Sequence, residues 1–195
     1  MTNSTSNPDI QKLQTLLAVV EEEFHDGLKG RGLVINKNSR LPHSEMTEDA
    51  IAAFNAFQES GGCITQNNVH QIAPILFYAE KATVVQIIPD YLRALLALTS
   101  RHPDDLASAN KTMESMYILA RPFGETLHGV NRDEIEHGKP SVSIRLKNAE
   151  IYKTYMTRGM RKALKAYLVA WFDYFTANYA SKLGQRRQWF HNSWL

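Results

Sequence analysis

The sequence predicts a mainly α fold, a single-domain helical bundle packed around a long C-terminal amphipathic helix, with room for one small β-hairpin. Three observations carry that prediction. From Ile151 to Tyr179, the side chains Met156, Met160, Leu164, Leu168, Trp171, Phe172, Phe175 and Tyr179 recur at steps of three and four, the period of a helix with one buried face. Arg158, Lys162, Lys165 and Asp173 fall on the other side, so this helix has a wet face as well. Ile10, Leu13, Leu17, Val20, Phe24 and Leu28 repeat the pattern near the N-terminus. The 195 residues are 44% hydrophobic and 22% charged, ordinary globular composition and enough for one core that folds without disulfide or metal.

Each element has local reasons. Residues 1–6 are Ser/Thr/Asn-rich and expected to be disordered; the single domain is placed at 7–183 and a C-terminal tail at 184–195. Asn7-Pro8-Asp9 offers a capping side chain, a proline at the first helical position and an acid in the first turn. The glycines of Gly27-Leu28-Lys29-Gly30-Arg31-Gly32 are expected to end that helix. Leu33-Val34-Ile35 is a short apolar piece, a strand candidate whose partner would be Val142 and Ile144. A second helix is predicted from Thr47, with the stripe Ala50, Ile51, Phe54 and Phe57 and a stop at Gly61-Gly62. Thr65 opens a third segment whose apolar residues Val69, Ile72, Ile75 and Leu76 again suit a helix, with a kink or break expected at Pro74. A fourth helix covers roughly Ala82 to Leu98, kinked or restarted at Pro89. His102-Pro103-Asp104-Asp105 reads as a turn and a helix start, and Met116 to Ala120 as a short apolar run of either type. Residues 124–140, with three glycines, many charges and Pro140, read as a long surface loop.

Composition narrows the functional classes. Cys63 is the single cysteine, the N-terminus has no basic and apolar leader, and no apolar run is expected to reach the length of a membrane span. The expectation is a cytoplasmic protein. The net charge of +2 is uneven. From Arg145 onward, ten Lys/Arg stand against Glu150 and Asp173, a local +8, which leaves −6 for residues 1–144. The halves either attract one another within the fold or offer a basic face to an acidic partner or nucleic acid.

No motif commits the chain to catalysis. The glycine cluster with Lys29 and Arg31 follows a helix rather than preceding one, so its amides sit at the negative helix end and do not suit a phosphate. Two Glu-x-x-His pairs, Glu22/His25 and Glu134/His137, have the spacing of paired metal ligands in bundles. Glu22, however, lies opposite the apolar stripe, and the second pair runs straight into Gly138-Lys139-Pro140, so both read as solvated charge. Cys63 and His70 form an imaginable nucleophile–base pair that lacks an orienting group and oxyanion donors, so a buried or idle cysteine is the better reading. No catalytic residue, metal or cofactor is assigned, and the chain reads as non-enzymatic.

Recognition is the alternative. The 124–140 loop gathers His128, Arg132, Glu134 and His137, and the tail combines Arg186, Arg187, Trp189, Phe190 and Trp194. Trp, Phe and Arg are frequent anchors of protein interfaces, and basic residues among aromatics also suit nucleic acid. A tail folded back onto the domain is the plain alternative.

Ile88-Pro89-Asp90-Tyr91-Leu92-Arg93-Ala94-Leu95, preceded by Leu76-Phe77-Tyr78-Ala79-Glu80-Lys81, resembles a pattern in small α-rich bacterial proteins of unknown function. The resemblance implies a bacterial cytoplasmic α-rich protein and transfers no site residue. The resulting expectation is a protein-binding module, in its bacterial form an immunity or antitoxin-like protein that occludes a partner. A nucleic-acid-binding regulator using the basic C-terminal segment is the second choice, and a small enzyme with its site in the 124–140 loop the third. No membrane partner is expected.

Overall fold

A computed structural model of the chain describes residues 7–29, 48–78, 81–101 and 154–179, together with 105, 107–109, 111–112, 115–116 and 119. All regular secondary structure among these residues is helical. The proposed hairpin strands, the 124–140 loop and the 184–195 tail lie outside them.

Helix α1 runs Pro8–Lys29. Asn7 Oδ1 accepts the Asp9 N–H at 2.9 Å, the cap that the sequence predicts, and it satisfies one of the first-turn amides that has no partner within the helix. Leu13, Leu17, Val20 and Phe24 are buried, and Ile10 and Leu28 pack at the margin of the core. The helix ends inside the expected glycine cluster, but Gly27 is still helical and buried.

Helix α2 runs Glu48–Glu59 and buries Ala50, Ala53, Phe54 and Phe57. Its end is a Schellman motif. The Gly62 N–H donates to the Phe57 carbonyl and the Gly61 N–H to the Gln58 carbonyl, both at 2.9 Å. Gly61 and Gly62 take φ of 67° and 76°, a region where a Cβ would be strained, so the glycine pair is what permits this turn.

The next segment opens at Thr65, but turns take the place of the helix expected from Thr65 to Pro74. Thr65 Oγ1 accepts the Asn67 N–H at 3.3 Å, while Asn68 Oδ1 accepts the Thr65 N–H at 2.8 Å, a reciprocal cap with Asn in the usual Glu/Gln place. Consecutive turns follow, and a regular helix, α3 (Ile75–Tyr78), begins only after Pro74. Val69, Ile72, Ala73, Ile75 and Leu76 are buried.

Helix α4 spans Lys81–Arg101 without interruption. Pro89 lacks the N–H that would bond the Val85 carbonyl, yet the helix continues through it. Val84, Val85, Ile88, Tyr91, Leu92 and Leu95 are fully buried. Against the expectation from the sequence, Ala82–Arg101 is long and apolar enough to cross a membrane by length and composition. In the fold, 61% of that apolar window is buried inside the protein, as a core helix requires.

Asp105 caps the helical residues that follow it. Its Oδ1 accepts the Ala107 and Ser108 N–H groups at 3.0 and 3.2 Å. Ser115, Met116 and Leu119 are helical and buried, which settles the apolar run at those positions as helix.

The last described helix, α5, is Arg158–Tyr179. The expected continuous 151–179 helix is broken: Thr154 and Tyr155 are helical, and Met156 and Thr157 are not. The reason is a cap inside the periodic stretch, since Thr157 Oγ1 accepts the Met160 N–H at 3.1 Å and starts a new helix. Arg161 secures the break by donating to the Met156 carbonyl at 2.9 Å. The apolar stripe survives, with Met156, Met160, Leu164, Leu168, Trp171, Phe172 and Phe175 all buried. Trp171 stacks on Phe175 at 4.4 Å between ring centroids and meets Phe172 edge-on at 5.5 Å.

Helix α1 packs against both α5 and α4. Gly27, late in α1, meets Thr157 and Met160 at the start of α5, whereas Lys12 and Leu16 border Val169 and Asp173 farther along it. The two helices therefore run antiparallel. The buried side chains of every described segment form one contiguous cluster.

Candidate functional site

Two places on the described surface and in the core hold polar groups in arrangements that helix packing alone does not require. One is a buried contact. His70 Nδ1 lies 2.9 Å from Ser115 Oγ, joining the turn segment after Thr65 to the helical residues near 115. Beside it sits Tyr91 of α4. Burial pushes the Tyr91 phenol far above its ordinary value and Ser115 partly offsets that rise, although Tyr91 Oη meets no partner in good hydrogen-bonding geometry. A serine touching a histidine has the outline of a nucleophile and its base. Ser115 is only 3% exposed, and the contact ties core elements together through polar groups.

The other is a groove of about 450 Å³ between α1 and α5. Its floor is apolar: Leu16 from α1, and Ala166, Val169 and Ala170 from α5. Its rim is charged: Lys12 from α1, and Lys162, Lys165 and Asp173 from α5. All four charged side chains are exposed. Val19 lies seven residues after Lys12 and three after Leu16, so it continues the same edge of α1. It is the exposed large hydrophobic among the described residues, at 42%. Helical period explains the groove from both sides. Lys12, Leu16 and Val19 share one edge of α1, while Lys162, Lys165, Ala166, Val169 and Asp173 share one edge of α5. Among the described residues, the ion pairs are Arg93 with Glu21 at 2.8 Å and with Asp90 at 2.7 Å, and none involves a groove lysine.

The structure treats the sequence candidates unequally. His128, Arg132, Glu134, His137, Arg186, Arg187, Trp189, Phe190 and Trp194 lie outside the described residues. Glu22 and His25 are exposed, in keeping with solvated charge. Cys63 is exposed rather than buried, and His70 Nδ1 is engaged by Ser115. Within the Ile88–Leu95 stretch of α4, Tyr91 is core and Arg93 bridges α4 to Glu21 of α1. Sequence reasoning missed Ser115, which lies 45 positions from His70, and it missed the groove, because Lys12 and the α5 lysines meet only through tertiary packing. The available signal was the coincidence of lysines and small residues on the wet face of α5. Set against known protein families, curated proteins and solved structures, the chain matches none of them.

Proposed function

We propose that the chain is a non-enzymatic protein-binding module that engages its partner at the groove between α1 and α5. One observation supports this reading: an apolar floor opens to solvent between two helices, under three exposed lysines with no ion-pair partner among the described residues and beside the exposed Val19. Exposed apolar area rimmed by polar groups marks interaction surfaces. The architecture that goes with it is a single helical bundle in which α1 and α5 form the central pair, a reading supported by the contiguous core and by the contacts of α1 with both α5 and α4. In bacterial form the module would be an immunity or antitoxin-like protein that covers the working surface of another protein, with the tail anchors Trp189, Phe190 and Trp194 extending the contact.

A photo-crosslinking residue at position 19 tests the proposal. In native lysate, position 19 should yield a discrete protein adduct that unlabelled protein competes away, while the same probe at the exposed Ala52 of α2 should not. Equal labelling at both positions sinks the reading. A nucleic-acid-binding regulator is the second reading, favoured by the exposed Arg158, Lys162 and Lys165 of α5 and the +8 of residues 145–195. A labelled oligonucleotide whose affinity falls steeply with salt would carry that reading instead.

A further inference from the structure

We infer that the α1–α5 groove takes an acidic amphipathic helix of the partner protein, one whose apolar stripe is flanked by Asp or Glu. This rests on the protein-binding reading and names the chemistry of the partner at that same surface.

Three lysines stand on the rim against Asp173 alone, and none of them has an ion-pair partner among the described residues. A lysine is a compact, strongly hydrated charge on a long flexible stem, able to cover apolar surface with the stem while the ammonium reaches a carboxylate beyond it. A floor of Ala166, Val169 and Ala170 keeps the surface low, so a second helix can approach closely and lay its own apolar stripe there. From Lys162 to Asp173 the rim covers about 17 Å of α5 at 1.5 Å per residue, the length of roughly three helical turns. The partner's apolar residues would meet Leu16, Val19 and Val169, and its acids would meet the lysines. Asp173 breaks the symmetry. It repels an acid placed at that end of the groove, and so sets the register and direction of the bound helix.

Other occupants fit less well. A second copy of this chain related by a two-fold axis would set the lysine rim against itself. Nucleic acid would satisfy the lysines and leave the apolar floor uncovered, and no aromatic side chain lines the groove to stack a base. A lipid surface is flat, whereas this apolar surface lies between two helices.

The test uses full-length protein, methyl NMR and three labelled peptides of about 15 residues, enough to cover the rim. The first peptide is helical with a leucine stripe flanked by glutamates. The second keeps its composition but scrambles the stripe, and the third replaces the glutamates with lysines. The glutamate-flanked peptide should bind saturably, shift the methyl signals of Leu16, Val19 and Val169, and weaken as salt rises. The scrambled and lysine-flanked peptides should bind at least tenfold more weakly. Lys12→Glu/Lys162→Glu/Lys165→Glu should lose the first peptide by roughly tenfold or more and gain the lysine-flanked one, with the fold checked by circular dichroism. Binding that ignores the stripe, methyl shifts elsewhere, or an undiminished affinity in the triple variant overturns the inference. So does stronger binding of a 15-nucleotide single strand or of phosphatidylserine vesicles at the same methyl groups. The crosslink at position 19 separates the two levels of the argument. A competed protein adduct whose contacting segment lacks an acidic helix keeps the binding-module reading and overturns this one, whereas labelling no different from Ala52 overturns both.

Discussion

The same pair of helices is closed at one end and grooved at the other. Where α1 finishes and α5 begins, both helices carry a glycine at the contact. A Cβ at Gly27 would lie 2.9 Å from Met160 Cγ and 3.2 Å from Thr157 Cγ2, and would collide with Met160 Sδ. A Cβ at Gly159 would lie 2.8 Å from Glu23 Cδ and collide with Glu23 Oε2. At the other end, the positions facing solvent between the helices are Leu16, Ala166, Val169 and Ala170, and charge stands around them. Glycines at one crossing bring the backbones together. Small and apolar residues, with no covering element among the described residues, leave a channel at the other. Closeness and openness along one interface therefore come from side-chain size, position by position, while the helical period that places these residues is the same throughout.

The contrast can be broken most directly at the closed end. Gly27→Val should destabilise the protein by about 3 kcal/mol, because Met160 Sδ already accepts the Thr157 N–H at 3.3 Å and cannot swing aside without losing that bond. Chemical denaturation measures this, and a stability within error of the parent would show that the crossing is looser than described. The next effect concerns Tyr167, fully buried on α5. Burial raises its phenol well above the ordinary value of 10.0, and its hydroxyl has no hydrogen-bond partner. The folded state thus holds a proton that the unfolded state releases. Its contribution is complete below pH 10 and is lost as pH rises beyond, by up to about 1.4 kcal/mol per pH unit. Tyr167→Phe should flatten this alkaline loss in pH-dependent melts and leave neutral-pH stability unchanged or higher.

A sharper test uses the second neighbour of α1. Arg93 of α4 reaches Glu21 through Nε and Nη2, both at 2.8 Å, and Asp90 through Nη1 at 2.7 Å. Partial burial pulls the guanidinium pKa down, but the two carboxylates outweigh it and the net shift is upward. Since the Arg93 side chain is 57% exposed, Arg93→Ala should lower stability by less than about 1 kcal/mol, with the loss shrinking in high salt. The smallest stability change belongs to the grooved end. Lys12→Glu/Lys162→Glu/Lys165→Glu should stay within about 0.5 kcal/mol of the parent, since these side chains are solvated and unpaired. A cooperative loss of structure in that variant would mean the rim supports the fold, and would cost the groove its reading as a free surface.

Much of the fold was legible because its signals are local. The Asn7 cap, the Asp105 cap and the Gly61-Gly62 stop each act within a few residues, and the stripes of α1 and α5 follow from period alone. The break at Met156 and Thr157 was not legible. The apolar period runs unbroken through Met156 and Met160, and the cap that interrupts it is one threonine among ordinary helix positions. Less of the candidate site could be read. Lys162 and Lys165 were visible as a wet face, but what they border is set by Lys12 and Leu16, about 150 residues away in the chain. His70 drew attention toward Cys63 by proximity in sequence, and its hydroxyl partner comes from Ser115, across the fold. The recognition residues picked in the loop and the tail belong to segments where period and capping carry no information.

One property of α4 reaches back to the chain before it folds. The stretch that fills the core, Ala82–Arg101, is also apolar enough to be accepted by a bilayer or held by a chaperone while still uncovered. On the ribosome α1, α2 and α3 are made before α4, and α5 is made last. In the finished fold α1 covers part of α4 and is tied to it by the Glu21–Arg93 link, so a partner for α4 exists in the chain before α5 is made. A chain in which α1 forms slowly would therefore suffer first in yield from the cell, through aggregation or membrane capture of α4, before any measurement on the finished protein registered a change.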